Sequence, residues 1–233
     1  MLQSELVPDT MKSAFLFDLD GTLVDSVYQH VMAWHEALRE ERIELSVWRI
    51  HRKIGMSGGL FADQLLRELD HDVGPDVIDR LRERHAFAYR RLAQSVVPLP
   101  GAVQLLDALT IEGVPWAIAT SGRLETAAPN LAALGVDPHD SVVVTRDQVR
   151  FAKPDPDLFV EAARRLDVPI ERAIVVGDSI WDMLAAARCK ALGVGLLSGG
   201  YGQDELERSG ALRVYADPAD LHRHLDEVAS RAR

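Results

Sequence analysis

Short apolar segments alternate with longer amphipathic ones over most of the chain, and this alternation limits the folds open to it. After residue 97, strands are predicted at Trp116 to Thr120, Ser141 to Thr145, Ala173 to Gly177, Gly193 to Leu197 and Arg213 to Tyr215. The segments between them carry apolar residues at helical spacing. Strands that alternate with helices in this way predict a parallel sheet covered by helices, and therefore an α/β fold.

Residues 26–96 interrupt the alternation and are expected to form an all-helical insert. Three apolar helix faces are predicted there: Val27, Val31, Trp34 and Leu38; Leu60, Phe61, Leu65, Leu66 and Leu69; Val77, Ile78, Leu81 and His85. Residues 13–25 and 97–233 would then form the α/β domain, with the insert placed over the carboxyl edge of its sheet, where ligands bind in such folds. Residues 1–12 are expected to be a polar tail.

Two carboxylates follow the first apolar segment, in the stretch AFLFDLDGTLVDS at residues 14–26. A short apolar run that ends on turn residues indicates a buried strand, which places Asp18 and Asp20 just beyond its carboxyl end. Neighbouring carboxylates repel each other, and burying either one without a positive partner is unfavourable. The stretch therefore predicts a nearby cation, which we expect to be a divalent metal ion together with a lysine.

Further polar residues follow other predicted strands, in the segments ATSG, FAKPDPDLF and VVGDSIWD. Asp178 would complete a carboxylate site for Mg²⁺ with Asp18 and Asp20, because this ion prefers oxygen ligands. Lys153 could neutralise the acidic residues and contact phosphate. The segment from Thr120 to Gly122 offers a hydroxyl, a backbone N–H and a close approach of the backbone at Gly122.

Each of these segments has a simpler interpretation when taken alone. A D-x-D sequence is commonly a turn, a lysine before proline commonly lies at the surface, and GDSIWD could simply cap a helix. Together, however, they bring to four strand ends the groups that phosphoryl transfer requires. Asp18 would be the nucleophile that forms an aspartyl phosphate, and Asp20 the general acid and base.

Composition excludes several other classes. With 26 basic and 36 acidic residues, the net charge of −10 disfavours a nucleic-acid partner. The single cysteine, Cys189, cannot form an intramolecular disulfide and is interpreted as a packed helix residue. The N-terminus lacks the pattern of a signal peptide and no apolar run is long enough to span a membrane, so a cytoplasmic protein without a membrane partner is expected.

The four segments DLDGT, TSG, KPDPDLF and GDSIWD resemble, in order and approximate spacing, the four motifs of the haloacid dehalogenase superfamily. The resemblance implies a three-layer, Rossmann-like core with a helical cap, with the backbone carbonyl of Asp20 and the Asp178 side chain on Mg²⁺. It implies Thr120 and Lys153 as phosphate-binding catalytic residues and Asp182 behind the ligands. The subgroup most resembled contains phosphoglycolate phosphatases and β-phosphoglucomutases; these mutases carry an acidic residue where this chain has Gly177.

The expected function is hydrolysis of a small phosphorylated metabolite by a Mg²⁺-dependent phosphatase. A sugar phosphomutase is the alternative, followed by an inactive binding domain; a dehalogenase is disfavoured because it would not need Asp20. Specificity would come from the cap, where Arg49, Arg52 and Lys53 precede a glycine-rich turn. Arg52 and Lys53 are candidate substrate contacts or a solvated helix end, His30, His35 and His85 are interpreted as structural, and the protein is expected to be a monomer or a homodimer.

Overall fold

The computed structural model describes residues 13–61, 64 and 75–229 of the 233-residue chain. A six-stranded parallel sheet forms its centre, in the order β3-β2-β1-β4-β5-β6. The strands are β1 Ala14–Phe17, β2 Trp116–Ala119, β3 Val143–Val144, β4 Ala173–Gly177, β5 Leu192–Leu196 and β6 Ala211–Tyr215. All five strands predicted after residue 97 are confirmed: β4 has the predicted ends, and the ends of the other four differ by at most two residues.

Helices pack against both faces of this sheet, so the predicted three-layer α/β core is confirmed. Successive strand residues point to opposite faces. Phe15 and Phe17 pack on one face, while Leu16 packs on the other against Phe159. The helices are α1 Val27–Glu40, α2 Val47–His51, α3 Pro75–Leu92, α4 Ala102–Ile111, α5 Leu124–Ala133, α6 Asp157–Arg165, α7 Ile180–Cys189, α8 Gln203–Arg208, α9 Pro218–Arg223 and α10 Leu225–Ala229.

Between β1 and β2 the described residues are mainly helical. Helix α1 buries Val27, Val31, Trp34 and Leu38, the face that the sequence predicts, and packs against α3. The chain leaves the core near Asp25 and re-enters it near Val97. These two segments are adjacent, since the Asp25 amide donates a hydrogen bond to the Val97 carbonyl at 2.9 Å. The helical insert is thus present, while its boundaries at residues 26 and 96 stay a prediction.

Two sequence predictions concern residues outside the described ranges: the polar tail at residues 1–12, and the apolar positions Leu65, Leu66 and Leu69. Among the described helices, none has both the length and the apolar character needed to cross a membrane.

Candidate active site

Four of the predicted site residues meet at the carboxyl edge of the sheet. Asp18 follows β1, Thr120 follows β2 and Asp178 follows β4, while Lys153 lies in the loop after β3. The pairing of Phe17 with both Ile118 and Val176 ends these strands at the same level. All four polar residues are buried, so they share one environment of low polarity.

Lys153 lies between two carboxylates. Its ammonium contacts Asp18 Oδ1 and lies 2.8 Å from Asp182 Oδ1. Burial disfavours its charged form, but the charges of Asp18 and Asp182 outweigh this and raise its pKa above the ordinary value for lysine. Lys153 is therefore a permanent cation that compensates part of the acidic charge.

Asp18, Asp178 and Asp182 offer carboxylate oxygens that lie within 4.8 Å of one another. Burial, together with Asp182 and Asp20, raises the pKa of Asp18 to about 7 despite Lys153. Burial, with Asp182 and Asp18, also raises the pKa of Asp178 well above its usual range. Three carboxylates around a single ammonium leave excess negative charge, which suits a divalent cation bound through oxygen.

Asp182 also caps helix α7, which fixes its orientation. Its Oδ2 accepts hydrogen bonds from the backbone N–H and the hydroxyl of Ser179, at 3.2 and 2.5 Å. Its other oxygen, Oδ1, pairs with the Lys153 ammonium, so both carboxylate oxygens of Asp182 have a partner. The place of Asp182 behind the metal ligands stays a prediction.

Two glycines leave room around the carboxylate of Asp178. A Cβ atom at Gly199 would lie 1.7 Å from Asp178 Oδ2, and one at Gly21 would lie 2.5 Å from it. Gly21 also has a φ of +83°, a conformation that disfavours other residues. The Thr22 hydroxyl donates a hydrogen bond to the other oxygen of Asp178, Oδ1, at 3.0 Å. The two glycines therefore lie beside the oxygen that Thr22 does not contact.

The Asp20 side chain points away from the acidic cluster. Its Oδ1 lies 2.6 Å from Ser26 Oγ, 2.7 Å from Asn130 Nδ2 and 3.2 Å from His30 Nε2. Burial alone would raise the pKa of Asp20, but His30 and Ser26 more than offset it, and the pKa is lowered. These contacts engage Oδ1 of Asp20, and the binding of a metal ion by its backbone carbonyl stays a prediction.

The segment after β2 is shaped by its own hydrogen bonds. Thr120 Oγ1 accepts a hydrogen bond from the Gly122 amide at 3.0 Å. The Ser121 hydroxyl donates to the carbonyl of Gly55 in the insert at 3.1 Å. A cavity beside this segment is lined by Thr120, Ser121 and Gly122. The Ser121 hydroxyl is already hydrogen-bonded to the insert through Gly55.

A cavity of about 420 Å³ separates the sheet edge from the insert. Its inner end is lined by Asp18 and Asp20. Its walls carry both apolar and cationic side chains, including Trp34, Ile54, Met56, Phe61, Lys53, Arg82, Arg123 and Arg146. A cavity of this size, open to solvent beside the exposed side chains of Arg123 and Asp147, can hold a small metabolite.

The two basic residues predicted to contact substrate lie in different places. Lys53 is buried and lines the cavity. Arg52 does not line it; its guanidinium donates to both carboxylate oxygens of Glu205 at 3.3 and 2.5 Å and stacks over the ring of Tyr201. Arg49 lies over the ring of Trp48.

Arg52 belongs to a set of contacts between residues 51–52 of the insert and residues 199–205 of the core, which we call the clasp. His51 Nε2 donates to the Gly199 carbonyl at 2.8 Å. The Tyr201 hydroxyl donates to the Arg52 carbonyl, also at 2.8 Å. The clasp joins the insert to the core beside the sheet edge.

Sequence reasoning missed several residues around Asp20. His30, for which the sequence predicts a structural role, contacts Asp20 and lines the cavity. Asn130 has a signal in the sequence: it is the polar member of a stripe formed with Ala127, Leu131 and Leu134, all of which are buried. An amide on an otherwise apolar helix face indicates a specific hydrogen-bond partner.

Comparisons with known proteins agree with this geometry. A family model described as haloacid dehalogenase-like hydrolase matches residues 12–190. Hexitol phosphatase A of Escherichia coli strain K12 is 32% identical over 184 residues, which cover 77% of this chain and 82% of that protein. Phosphoglycolate phosphatase of Rhodospirillum rubrum is 30% identical over 218 residues, covering 91% and 90%.

A solved structure, a hydrolase from Pseudomonas syringae, is similar over nearly the whole chain. It is 58% identical, has a TM-score of 0.92, and covers 94% of this chain and 100% of its own. The relatives with named activities given above are phosphatases, and one is a phosphoglycolate phosphatase, as in the subgroup that the sequence resembles.

Proposed function

The chain belongs to the haloacid dehalogenase-like hydrolases, and we propose that it is a Mg²⁺-dependent phosphatase that acts on a small phosphorylated metabolite. The observation that carries this proposal is the position of Asp18. Its carboxylate lines the cavity between the sheet edge and the insert, in contact with Lys153 and beside Asp178. This arrangement supports a role for Asp18 as nucleophile, with a cation and a second carboxylate for a metal ion beside it.

In the first step, an oxygen of Asp18 attacks phosphorus while the bond from phosphorus to the ester oxygen breaks. Asp20, which lines the same cavity, would enter this step protonated, although His30 and Ser26 favour its ionised form in the free protein, and gives its proton to the departing oxygen. In the second step, Asp20 removes a proton from a water molecule that attacks the aspartyl phosphate, releasing phosphate and restoring Asp18. Lys153 and the Thr120 hydroxyl would hold the phosphate oxygens.

The donor set fits Mg²⁺. We propose that the carboxylates of Asp18 and Asp178 and the backbone carbonyl of Asp20 hold the ion. The glycines around Asp178 Oδ2 leave an oxygen accessible without a neighbouring side chain. When bound, the ion would neutralise charge on the cluster and on the phosphate.

Gly177 supports hydrolysis over phosphoryl return to a sugar. A Cβ atom at this position would lie 2.3 Å from Cβ and Cγ of Asp182. An acidic side chain, as the mutases carry there, would displace the residue that contacts Lys153. The position is therefore closed to the mutase-like residue in this chain.

The test is phosphate release from p-nitrophenyl phosphate, phosphoglycolate and hexitol phosphates, with Mg²⁺ and with EDTA. Turnover that requires Mg²⁺ and is lost in Asp18→Asn is expected. No release from any ester, with or without added metal, would contradict the proposal, and isomerisation of a hexose phosphate without net release would favour the mutase. The cytoplasmic location and the oligomeric state stay predictions.

A further inference from the structure

Three hydrogen-bond donors meet a single oxygen of Asp20. Ser26, Asn130 and His30 all approach Oδ1, at 2.6, 2.7 and 3.2 Å. Asp20 also lines the cavity. Because all three donors lie on Oδ1, the carboxylate cannot rotate without losing several hydrogen bonds, and Oδ2 is the oxygen left to exchange a proton with substrate.

The Asn130 amide is oriented by a second contact. Its Nδ2 donates one hydrogen to Asp20 and the other to the Tyr89 hydroxyl, each at 2.7 Å. Rotating the amide by half a turn would place its oxygen against the Asp20 carboxylate, so the orientation with nitrogen inward is the favourable one. Tyr89 thus acts on Asp20 through Asn130.

This orientation leaves Asn130 Oδ1 buried with no hydrogen-bond donor among the residues that the structure describes. Asn130 and Tyr89 are themselves completely buried. An apolar residue at position 130 would avoid the cost of burying an amide oxygen without a hydrogen-bond donor. Packing alone therefore does not account for an asparagine here. The two donated hydrogen bonds provide the compensation.

Tyr89 belongs to the insert and Asn130 to the core. The Tyr89 ring also stacks on His30, with 3.8 Å between the ring centroids. Asp20 is consequently held by groups from α1, α3 and α5, and its full set of donors exists only when the insert is closed on the sheet.

We propose that Asn130 and Tyr89 are positioning residues that hold Asp20 with its Oδ2 directed at the leaving group. The inference rests on the proposed phosphatase function. Neither residue exchanges a proton itself. Misplacing the acid slows departure of the ester oxygen, and the penalty is largest when that oxygen most needs a proton.

The test compares phenyl phosphate with p-nitrophenyl phosphate, which share a ring but differ in leaving-group basicity. The value of kcat/KM is used because it includes only steps up to phosphoenzyme formation. For Tyr89→Phe and Asn130→Leu, kcat/KM for phenyl phosphate should fall by about tenfold or more, and that for p-nitrophenyl phosphate by less than about threefold. Asp20→Asn should show the same bias more strongly.

The double variant, Tyr89→Phe with Asn130→Leu, replaces both hydrogen-bonding partners by apolar groups of similar shape, which is well tolerated in a folded protein. It should lose no more activity than Asn130→Leu alone, because Tyr89 acts through Asn130. Tyr215→Phe serves as the control, since it removes a hydroxyl that donates to Glu227 at 3.4 Å in another part of the core.

Two results in folded Tyr89→Phe and Asn130→Leu variants would overturn the positioning role, provided that Asp20→Asn loses more activity on phenyl phosphate than on p-nitrophenyl phosphate. One is an equal fall in kcat/KM for both substrates, and the other is no fall for either. If wild-type protein releases phosphate from neither substrate nor any metabolite ester, the proposed function itself fails. A melting temperature measured for every variant separates unfolding from these outcomes.

Discussion

Asp18→Asn should stabilise the metal-free protein while abolishing its turnover. In the folded chain the pKa of Asp18 is raised from 3.8 to about 7, chiefly by burial and then by Asp182 and Asp20, with Lys153 acting in the opposite direction. The folded protein therefore retains a proton that the unfolded chain has released. Between pH 4 and pH 7, roughly, the contribution of Asp18 to stability must fall as the pH rises, and this loss is complete above the folded pKa.

The difference of roughly three pKa units corresponds to about 4 kcal/mol at most, since one unit is worth about 1.4 kcal/mol. An asparagine keeps the shape of the protonated aspartate but cannot ionise. At pH 8 in EDTA, Asp18→Asn should consequently raise the free energy of unfolding by about 2–4 kcal/mol. At pH 4 the variant and the wild type should differ little.

The assay is urea unfolding followed by tryptophan fluorescence, at pH 4 and pH 8, in EDTA and in Mg²⁺. Asp107→Asn, on the exposed side of α4, is the matched control and should leave the pH dependence unchanged. Mg²⁺ should stabilise the wild type more than the variant, because the ion would bind ionised Asp18. A variant less stable than wild type at pH 8 in EDTA would refute the reasoning.

Three other substitutions test the metal site and the insert. Gly199→Ala should weaken Mg²⁺ binding at least tenfold, as measured by calorimetry, because its Cβ would lie 1.7 Å from Asp178 Oδ2; normal affinity would argue against Asp178 as a ligand. Lys53→Ala should lower kcat/KM for phosphoglycolate by about 5- to 150-fold while barely changing that for p-nitrophenyl phosphate, since Lys53 lines the cavity and would meet a second anionic group. Arg52→Ala should lower both values alike because Arg52 pairs with Glu205 in the clasp; a loss confined to phosphoglycolate would instead restore it as a substrate contact.

The core and its acidic cluster could be predicted because each part has a local signal. Asp18, Thr120 and Asp178 directly follow apolar strands, and parallel strands end at one edge of a sheet. The position of Arg52 has no such signal. Its partner, Glu205, lies 153 positions away and is brought near only when the insert packs on the core.

The residues that contact Asp20 likewise could not be predicted from the sequence. Asn130 and Tyr89 lie within helices, and only the contact between α3 and α5 brings them together. The helical periodicity of the sequence shows which residues are buried but not which helices meet. Hydrogen bonds between the insert and the core therefore had to be read from the structure.

The clasp has a consequence for exchanging inserts among related enzymes. Residues 199–205 supply its core half, and within this segment Gly199 also borders the carboxylate of Asp178. A chimera that receives residues 26–96 from a relative would keep a core loop shaped for another insert. A chimera should therefore acquire the donor's specificity only when residues 199–205 are exchanged together with residues 26–96. The relative that provides the insert then also provides the core loop against which the insert packs.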